Sequence, residues 1–164
     1  DGDIIAMVGD DMIFRTNDWD AKIIETFESK NDPIWMIHCN DGVRGPGNMY
    51  EREKPLAVNS FIHREYVNTV GRYVQTETCN LFQDTYIQYL FDTLGRTIYY
   101  HDILIRHLHY SHGGELDKTS ERLEETRPNE DEWNAAWTEY SAVIDTVHKR
   151  ELKLLQDKIK EYNI

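Results

Sequence analysis

The stretch Asp3-Ile4-Ile5-Ala6-Met7-Val8-Gly9-Asp10-Asp11-Met12 decides the fold expected for this chain of 164 residues. Its unbroken apolar run, Ile4 to Val8, predicts a strand that is buried on both faces, as in a parallel sheet covered by helices. The run ends at Gly9 and is followed by two adjacent carboxylates. Ligands of open α/β sheets bind beyond the carboxyl ends of the strands, so Asp10 and Asp11 lie where a site is expected.

Two carboxylates on one short turn repel each other unless a cation, or hydrogen-bond donors from a ligand, offset their charge. Carboxylate oxygens suit Mg²⁺ or Mn²⁺, which proteins usually hold with one or two carboxylates plus substrate phosphates. The alternative interpretation is a solvated turn that only closes the strand, and the dipeptide Asp10-Asp11 taken alone favours it. The choice between a cation site and a solvated turn therefore depends on residues elsewhere in the chain.

The composition limits the classes of partner. The chain has 18 Lys and Arg against 30 Asp and Glu, a formal net charge of −12, which disfavours general binding to nucleic acid or anionic lipid because both depend on basic patches. The spacing of the two cysteines, Cys39 and Cys79, does not require a disulfide. No apolar run approaches the roughly 20 residues of a membrane span, and we expect no signal peptide. We therefore expect a reduced, cytoplasmic protein.

Apolar spacing and turn residues predict an α/β order of elements along residues 1–114. The predicted elements are a helix over about 18–30, a strand over 34–39, a glycine-containing loop over 40–56, a brief strand over 56–58, a short helix over 63–70 and a further helix that ends at Gly95. The β-prone runs 97–100 and 103–105 are expected to form an antiparallel pair or a bent edge strand.

A second region is predicted over residues 115–164. Residues 115–127 are strongly charged, and Pro128-Asn129 introduces one long helix over about 130–162. Its apolar residues step by four and three, as in a coiled-coil seam, at Trp133, Trp137, Tyr140, Ile144 and Val147. We expect this amphipathic helix to pack back on residues 1–114, with formation of a homo-oligomer through the same seam as the alternative.

Three groups of residues qualify as a chemical site. The first is Asp10-Asp11 together with a distant histidine. The second is a histidine-rich segment, whose spacing matches neither a helical zinc pair nor a Cys/His finger. Its members are His101, Asp102, His107, His109 and His112. The third is Asp84 at the start of a helix, where the macrodipole also favours a carboxylate that only caps the helix.

Taken in order, these features follow the pattern of one family. After the strand with Gly-Asp-Asp come a helix, a strand, a glycine-containing loop, Asn59-Ser60-Phe61-Ile62-His63-Arg64, Gly71-Arg72-Tyr73, Phe82-Gln83-Asp84-Thr85-Tyr86, Leu94-Gly95 and Ile105-Arg106-His107. Over roughly residues 3–110 the chain resembles the second half of an inverting, family-two-like GT-A glycosyltransferase that uses nucleotide-sugars. The resemblance implies an α/β, GT-A (Rossmann-like) fold with a mixed sheet flanked by helices, incomplete at the N-terminus because the nucleotide-binding half is missing, and a long C-terminal helix.

The resemblance also implies a role for each residue. Asp11 and His107 would hold a divalent cation, Mn²⁺ or Mg²⁺, against the diphosphate of the nucleotide-sugar, while Asp10 would lie near the ribose or support the metal. Asp84 would be the general base that takes the proton from the acceptor hydroxyl, so that one displacement inverts the anomeric centre. The motif reads Gly-Asp-Asp-Met where the family has Asp-x-Asp, which leaves open whether Asp10 or Asp11 contacts the metal.

Two other classes of protein stay open at this point. A non-catalytic binding or assembly module would use the 130–162 helix as an oligomerisation arm. The start of the chain at Asp1, almost directly before a strand, is expected of a fragment of a longer protein and fits that class as well. A metallohydrolase would instead be built on His101-Asp102 and the neighbouring histidines.

Overall fold

The computed structural model describes residues 2–42, 55–74, 83–108, 121 and 129–163. The strands are β1 (Ile4–Met7), β2 (Met12–Phe14), β3 (Met36–Asn40), β4 (Ser60–His63) and β5 (Thr97–His107). The helices are α1 (Trp19–Glu28), α2 (Arg64–Val70), α3 (Gln83–Leu94) and α4 (Glu130–Tyr162). The predicted α/β class and the long C-terminal helix are confirmed.

The strands form a mixed sheet of five strands in the order β1-β4-β3-β5-β2. β3 and β5 are parallel, whereas β1 with β4, β3 with β4, and β2 with β5 are antiparallel. The parallel pair brings the carboxyl ends of β3 and β5 to one edge of the sheet, and β2 begins beside the last residue of β5. In α/β sheets this is the edge where ligands are expected to bind.

The predicted position of the first strand, buried on both faces within a parallel sheet, is wrong. β1 is an edge strand that, among the described residues, pairs only with β4, from Ile4↔His63 to Met7↔Ser60. Its side chains are half-buried or exposed, and Val8, which follows the strand, is 40% exposed. An apolar run does not reveal the position of a strand in the sheet, because strand order depends on residues elsewhere in the chain.

Two further strand predictions are wrong. The runs 97–100 and 103–105 belong to one strand, β5, which lies inside the sheet between β3 and β2. A bulge between the pairs Cys39↔Tyr100 and Asn40↔Leu104 accounts for the polar residues that interrupt the apolar pattern of β5. The strand predicted over 56–58 lies instead at 60–63, directly before α2.

Helices cover both faces of the sheet. α1 packs Ile23 and Phe27 against one face, which includes Ile37 and Phe61. The other face, which includes Met36, is covered by α2, α3 and α4. The buried side chains that these three helices contribute are Tyr66, Tyr86, Ile87, Leu90, Phe91, Tyr140, Ile144, Val147 and Leu155. The predicted mixed sheet flanked by helices is therefore confirmed.

The long helix α4 packs on α2 and α3. It begins with a capping box, in which the Asn129 side chain accepts from the Glu132 amide at 3.0 Å and the Glu132 carboxylate accepts from the Asn129 amide at 2.9 Å. Of the predicted seam, Tyr140 and Ile144 are buried, whereas Trp137 is 51% exposed. Most of the seam is thus buried within the chain itself, while the predicted domain boundary at 114/115 lies outside the described residues.

None of the described helices combines the length and the apolar character needed to cross a lipid bilayer. Cys39 is buried with a free thiol, and burial raises its pKa to about 12. Cys79 lies outside the described residues. The cytoplasmic location stays a prediction.

Candidate functional site

Asp11 and His107 meet at the carboxyl edge of the sheet. Asp11 precedes β2 and His107 ends β5, and these strands pair so that Met12 lies opposite His107. The Nε2 atom of His107 lies 3.0 Å from Oδ2 of Asp11, and the Leu108 amide donates to the Asp11 carbonyl at 2.9 Å. The side chains of His107 and Asp11 are 18% and 32% exposed, so solvent or a ligand can reach the pair.

Asp41 is a third acidic residue at this edge, and the sequence analysis did not select it. It follows β3, and its carbonyl accepts from the His107 amide at 2.9 Å. Asp41 is buried, with only 4% of its surface exposed. Burial, and then the negative charge of Asp41, raises the pKa of Tyr99, whose ring lies 4.8 Å from that of His38. A signal for Asp41 was available, because Asn-Asp-Gly ends a buried strand much as Gly-Asp-Asp follows β1.

The turn after β3 is held by Asn40. Its Oδ1 atom accepts from the Gly42 amide at 2.8 Å, and its Nδ2 atom donates to the His101 carbonyl at 3.1 Å. Gly42 has a φ of +73°, in the left-handed region, and a Cβ atom there would lie 3.2 Å from Cδ1 of Leu104. Glycine at this position lets the turn lie close against β5.

A second glycine controls the position of the Asp11 carboxylate. A Cβ atom built on Gly9 would lie 2.6 Å from Oδ1 of Asp11, well below a normal contact distance. The carboxylate occupies the space that any larger residue at position 9 would need. Gly9 therefore contributes to the geometry of the Asp11–His107 pair as well as ending the apolar run.

Asp10 and Asp84 lie apart from this pair. Asp10 is exposed on the turn between β1 and β2. Asp84 is half-buried in the first turn of α3, where its Oδ1 atom accepts from the Thr85 amide at 2.7 Å. Among the described residues, Asp84 makes no hydrogen bond or ion pair with Asp11 or His107. The structure thus brings Asp11 and His107 together, and leaves Asp84 on the helical layer.

The described residues of the histidine-rich segment lie on β5 and do not come together as one site. His101 is exposed, and Asp102 forms an ion pair with Lys22 of α1 at 2.8 Å. The hydrogen bond from Lys22 lowers the pKa of Asp102. His107 faces Asp11, whereas His109 and His112 lie outside the described residues. In the described part of the segment, Asp102 thus connects β5 with α1 and His107 belongs to the pair.

A cavity of about 580 Å³ lies at the opposite end of β1. It is lined by residues that include Ile4, Ile24, Phe27 and His63, and by none of the predicted site residues. This cavity therefore does not coincide with the predicted site residues. The polar groups converge at the carboxyl ends of β3 and β5, and we take that edge as the candidate site.

The Asp11–His107 pair can supply a carboxylate oxygen and an imidazole nitrogen to a cation. Within the described residues, no group of three or more His, Cys, Asp or Glu side chains is arranged to hold a metal ion. A cation at the pair would therefore need water or substrate phosphates to complete its coordination, which is how Mg²⁺ is commonly bound. The residues present fit a cation that binds together with a phosphorylated substrate.

Comparison with protein-family models, with curated proteins and with solved structures found no match to this chain. Its function therefore has to be inferred from its own residues and their positions.

Proposed function

We propose that this chain is part of the catalytic domain of an inverting, metal-dependent GT-A glycosyltransferase, which moves a sugar from a nucleotide-sugar to an acceptor hydroxyl. The observation that carries the proposal is the contact between Asp11 and His107, 3.0 Å apart at the carboxyl ends of the strands. The resemblance implied that these two residues, 96 positions apart in the chain (107 − 11), approach one another at the diphosphate. Their contact in the fold is what such a site requires.

In the proposed reaction, Asp11 and His107 would hold the cation, and Asp10, which is exposed on the same turn, would lie near the ribose or support the metal. The cation supplies positive charge that stabilises the diphosphate leaving group. Asp84 takes the proton from the acceptor hydroxyl, whose oxygen then bonds to the anomeric carbon as the bond to the diphosphate breaks. The attack from the opposite face inverts the anomeric centre.

The proposed GT-A arrangement also needs a nucleotide-binding half. An edge strand presents unpaired N–H and C=O groups that can accept a further strand. Among the described residues β1 pairs on one side only, so its outer edge offers a place where that half can join the sheet. The assembly-module alternative gains less support, because α4 buries Tyr140, Ile144, Val147 and Leu155 against its own domain.

The proposal is tested by thermal melts of the full-length protein with Mn²⁺, with UDP or GDP, and with both together. We expect the pair of ligands to raise Tm more than either alone, because the cation and the diphosphate complete each other's coordination. Saturation at 100 times the Kd stabilises by about 2.7 kcal/mol, which corresponds to roughly 5–10 °C for a domain of this size.

Asp11→Ala should abolish this increase, and Glu25→Ala, which removes an exposed carboxylate from α1, should retain it. Equal Tm values with and without the ligands in the unmodified protein would contradict the proposed function.

Gly9→Ala tests the placement of the Asp11 carboxylate separately. The new Cβ atom would lie 2.6 Å from Oδ1 of Asp11, so the carboxylate must move while the backbone can stay in place. We expect Mn²⁺ affinity, measured by the electron paramagnetic resonance of free Mn²⁺, to fall about 10-fold, as for displaced groups around other metal sites. Gly2→Ala is the control, because its Cβ would meet its nearest atom at an ordinary 3.6 Å. Unchanged Mn²⁺ affinity in Gly9→Ala would show that this placement is not needed.

A further inference from the structure

Two pairs of aromatic rings lie on α3 and α4, and together we call them the aromatic surface: Tyr89 with His148, and Trp137 with Tyr140. The ring centroids of Tyr89 and His148 are 4.4 Å apart, and those of Trp137 and Tyr140 are 5.5 Å apart. Tyr89 and Trp137 are each 51% exposed, whereas Tyr140 and His148 are buried beneath them. Two half-exposed rings are thus supported from below by two buried ones.

Asp84 lies at the margin of this surface. It precedes Tyr89 by five residues on α3, which is about 7.5 Å along the helix axis. Tyr140 of α4 lies near both residues, since burial, and then the charge of Asp84 and the Tyr89 hydroxyl, raises its pKa to about 12. The carboxylate that we propose as general base therefore lies within electrostatic range of the buried ring of Tyr140, as Tyr89 does.

We propose that the aromatic surface binds a saccharide, and that with Asp84 it forms the acceptor subsite of the transferase. The identity of the saccharide as the acceptor rests on the proposed function, whereas saccharide binding itself does not. A pyranose ring has an apolar face of C–H groups that packs on the π face of an aromatic ring. Its hydroxyls donate to a carboxylate in strong, charge-assisted hydrogen bonds. The aromatic surface and Asp84 offer both kinds of contact.

The chemistry of the surface favours a saccharide over a protein partner. The cores of protein interfaces are depleted in charged residues. The large apolar side chains exposed here, Tyr89 and Trp137, are both aromatic, and the carboxylate of Asp84 precedes Tyr89 on the same helix. Among the described side chains of α4, the exposed aliphatic residue Leu154 lies toward the other end of the helix, 17 residues after Trp137 (154 − 137).

His148 provides a second observation. Its ring stacks on Tyr89, its residue is 6% exposed, and its Nε2 atom has no hydrogen-bond partner among the described residues. A buried polar atom left without a partner costs free energy, which a ligand hydroxyl or a bridging water can recover. The Nε2 atom of His148, behind the exposed ring of Tyr89, is therefore a polar group that a ligand hydroxyl could satisfy.

The test is a titration of the full-length protein with cellobiose, maltose, lactose and N,N′-diacetylchitobiose, followed by tryptophan fluorescence and by calorimetry. We expect at least one disaccharide to bind, and Tyr89→Ala and Trp137→Ala each to weaken that binding about 10-fold through loss of the stacked ring. Calorimetry is needed for Trp137→Ala because the substitution removes part of the fluorescence signal. Tyr162→Ala is the matched control, since Tyr162 is an exposed aromatic residue near the end of the same helix.

The proposal is overturned if none of the disaccharides binds, or if the two variants bind as tightly as Tyr162→Ala does. It is also overturned if both variants change the sedimentation coefficient of the protein while saccharides do not bind, because the surface would then be a contact between copies of this chain. Mn²⁺ and UDP binding is measured on the same samples. Disaccharide binding without nucleotide binding would refute the proposed function and leave the saccharide site in place.

Discussion

Asp84→Asn is expected to lower the turnover of the full-length enzyme by roughly 10²–10⁴-fold, which is about 3–5 kcal/mol of activation free energy. Asparagine keeps the shape of the side chain and can still accept a hydrogen bond from the Thr85 amide, which Asp84 now receives at 2.7 Å. It cannot accept the proton of an acceptor hydroxyl. The affinity for the nucleotide and Mn²⁺ should change little, because Asp84 makes no hydrogen bond or ion pair with Asp11 or His107 among the described residues.

The measurement is the release of nucleoside diphosphate from a panel of UDP- and GDP-sugars, beside a nucleotide-binding titration on the same variant. Asp20→Asn is the control, because Asp20 occupies the first turn of α1 as Asp84 occupies the first turn of α3. If Asp84 only stabilises its helix, asparagine should serve almost as well and both variants should be nearly fully active. Near-normal turnover, or a product with the anomeric configuration of the donor, would refute the assignment of Asp84 as the base.

Glu151→Ala is expected to cost about 3–5 kcal/mol of stability, the usual cost of removing one partner from a buried ion pair. Glu151 of α4 is 1% exposed and accepts from Nε of Arg72 at 3.2 Å, with a second hydrogen bond from Nη2 of the same guanidinium. The Tyr86 hydroxyl donates to its other carboxylate oxygen. Burial, reinforced by this hydrogen bond, raises the pKa of Tyr86, so the phenol stays a donor throughout the neutral range. Alanine would leave the half-buried guanidinium of Arg72 and the buried hydroxyl of Tyr86 without their common acceptor.

Thermal melts check this prediction, with an expected decrease in Tm of roughly 6–20 °C. Asp145→Ala, which removes an exposed carboxylate on the same helix, should melt like the unmodified protein. Arg72→Ala and the double variant complete a double-mutant cycle, in which we expect the two losses to be clearly less than additive. A Tm for Glu151→Ala equal to that of Asp145→Ala would mean that the buried carboxylate does not fix α4 to α2 and α3.

Local chemistry in the sequence determined where most helices begin and end. Gly71 and Gly95 have φ values of +88° and +69°, which glycine adopts readily, and they follow α2 and α3 as predicted. Asn129, with which the sequence analysis began the long helix, caps α4. Such features depend on residues within one helical turn of each other, so the amino-acid order is enough to predict them.

The resemblance seen in the sequence assigned Asp11 and His107 to one cation site, but it did not predict their direct contact or the place of Asp41 beside them. That required the pairing of β2 with β5 and of β3 with β5. The apolar run of β1 predicted a strand correctly and its position wrongly, because an edge strand and a central strand can share the same apolar pattern.

The sequence by itself determined the α/β class, the ends of the helices and the residue types from which a cation site can be built. Only the tertiary structure decided the strand order, the pairing of Asp11 with His107 and the burial of Glu151. Glu151 binds Arg72 and Tyr86, which lie 79 and 65 residues away from it along the chain. Burial and strand pairing are set by contacts between residues so distant in sequence that no local pattern of apolar and polar residues encodes them.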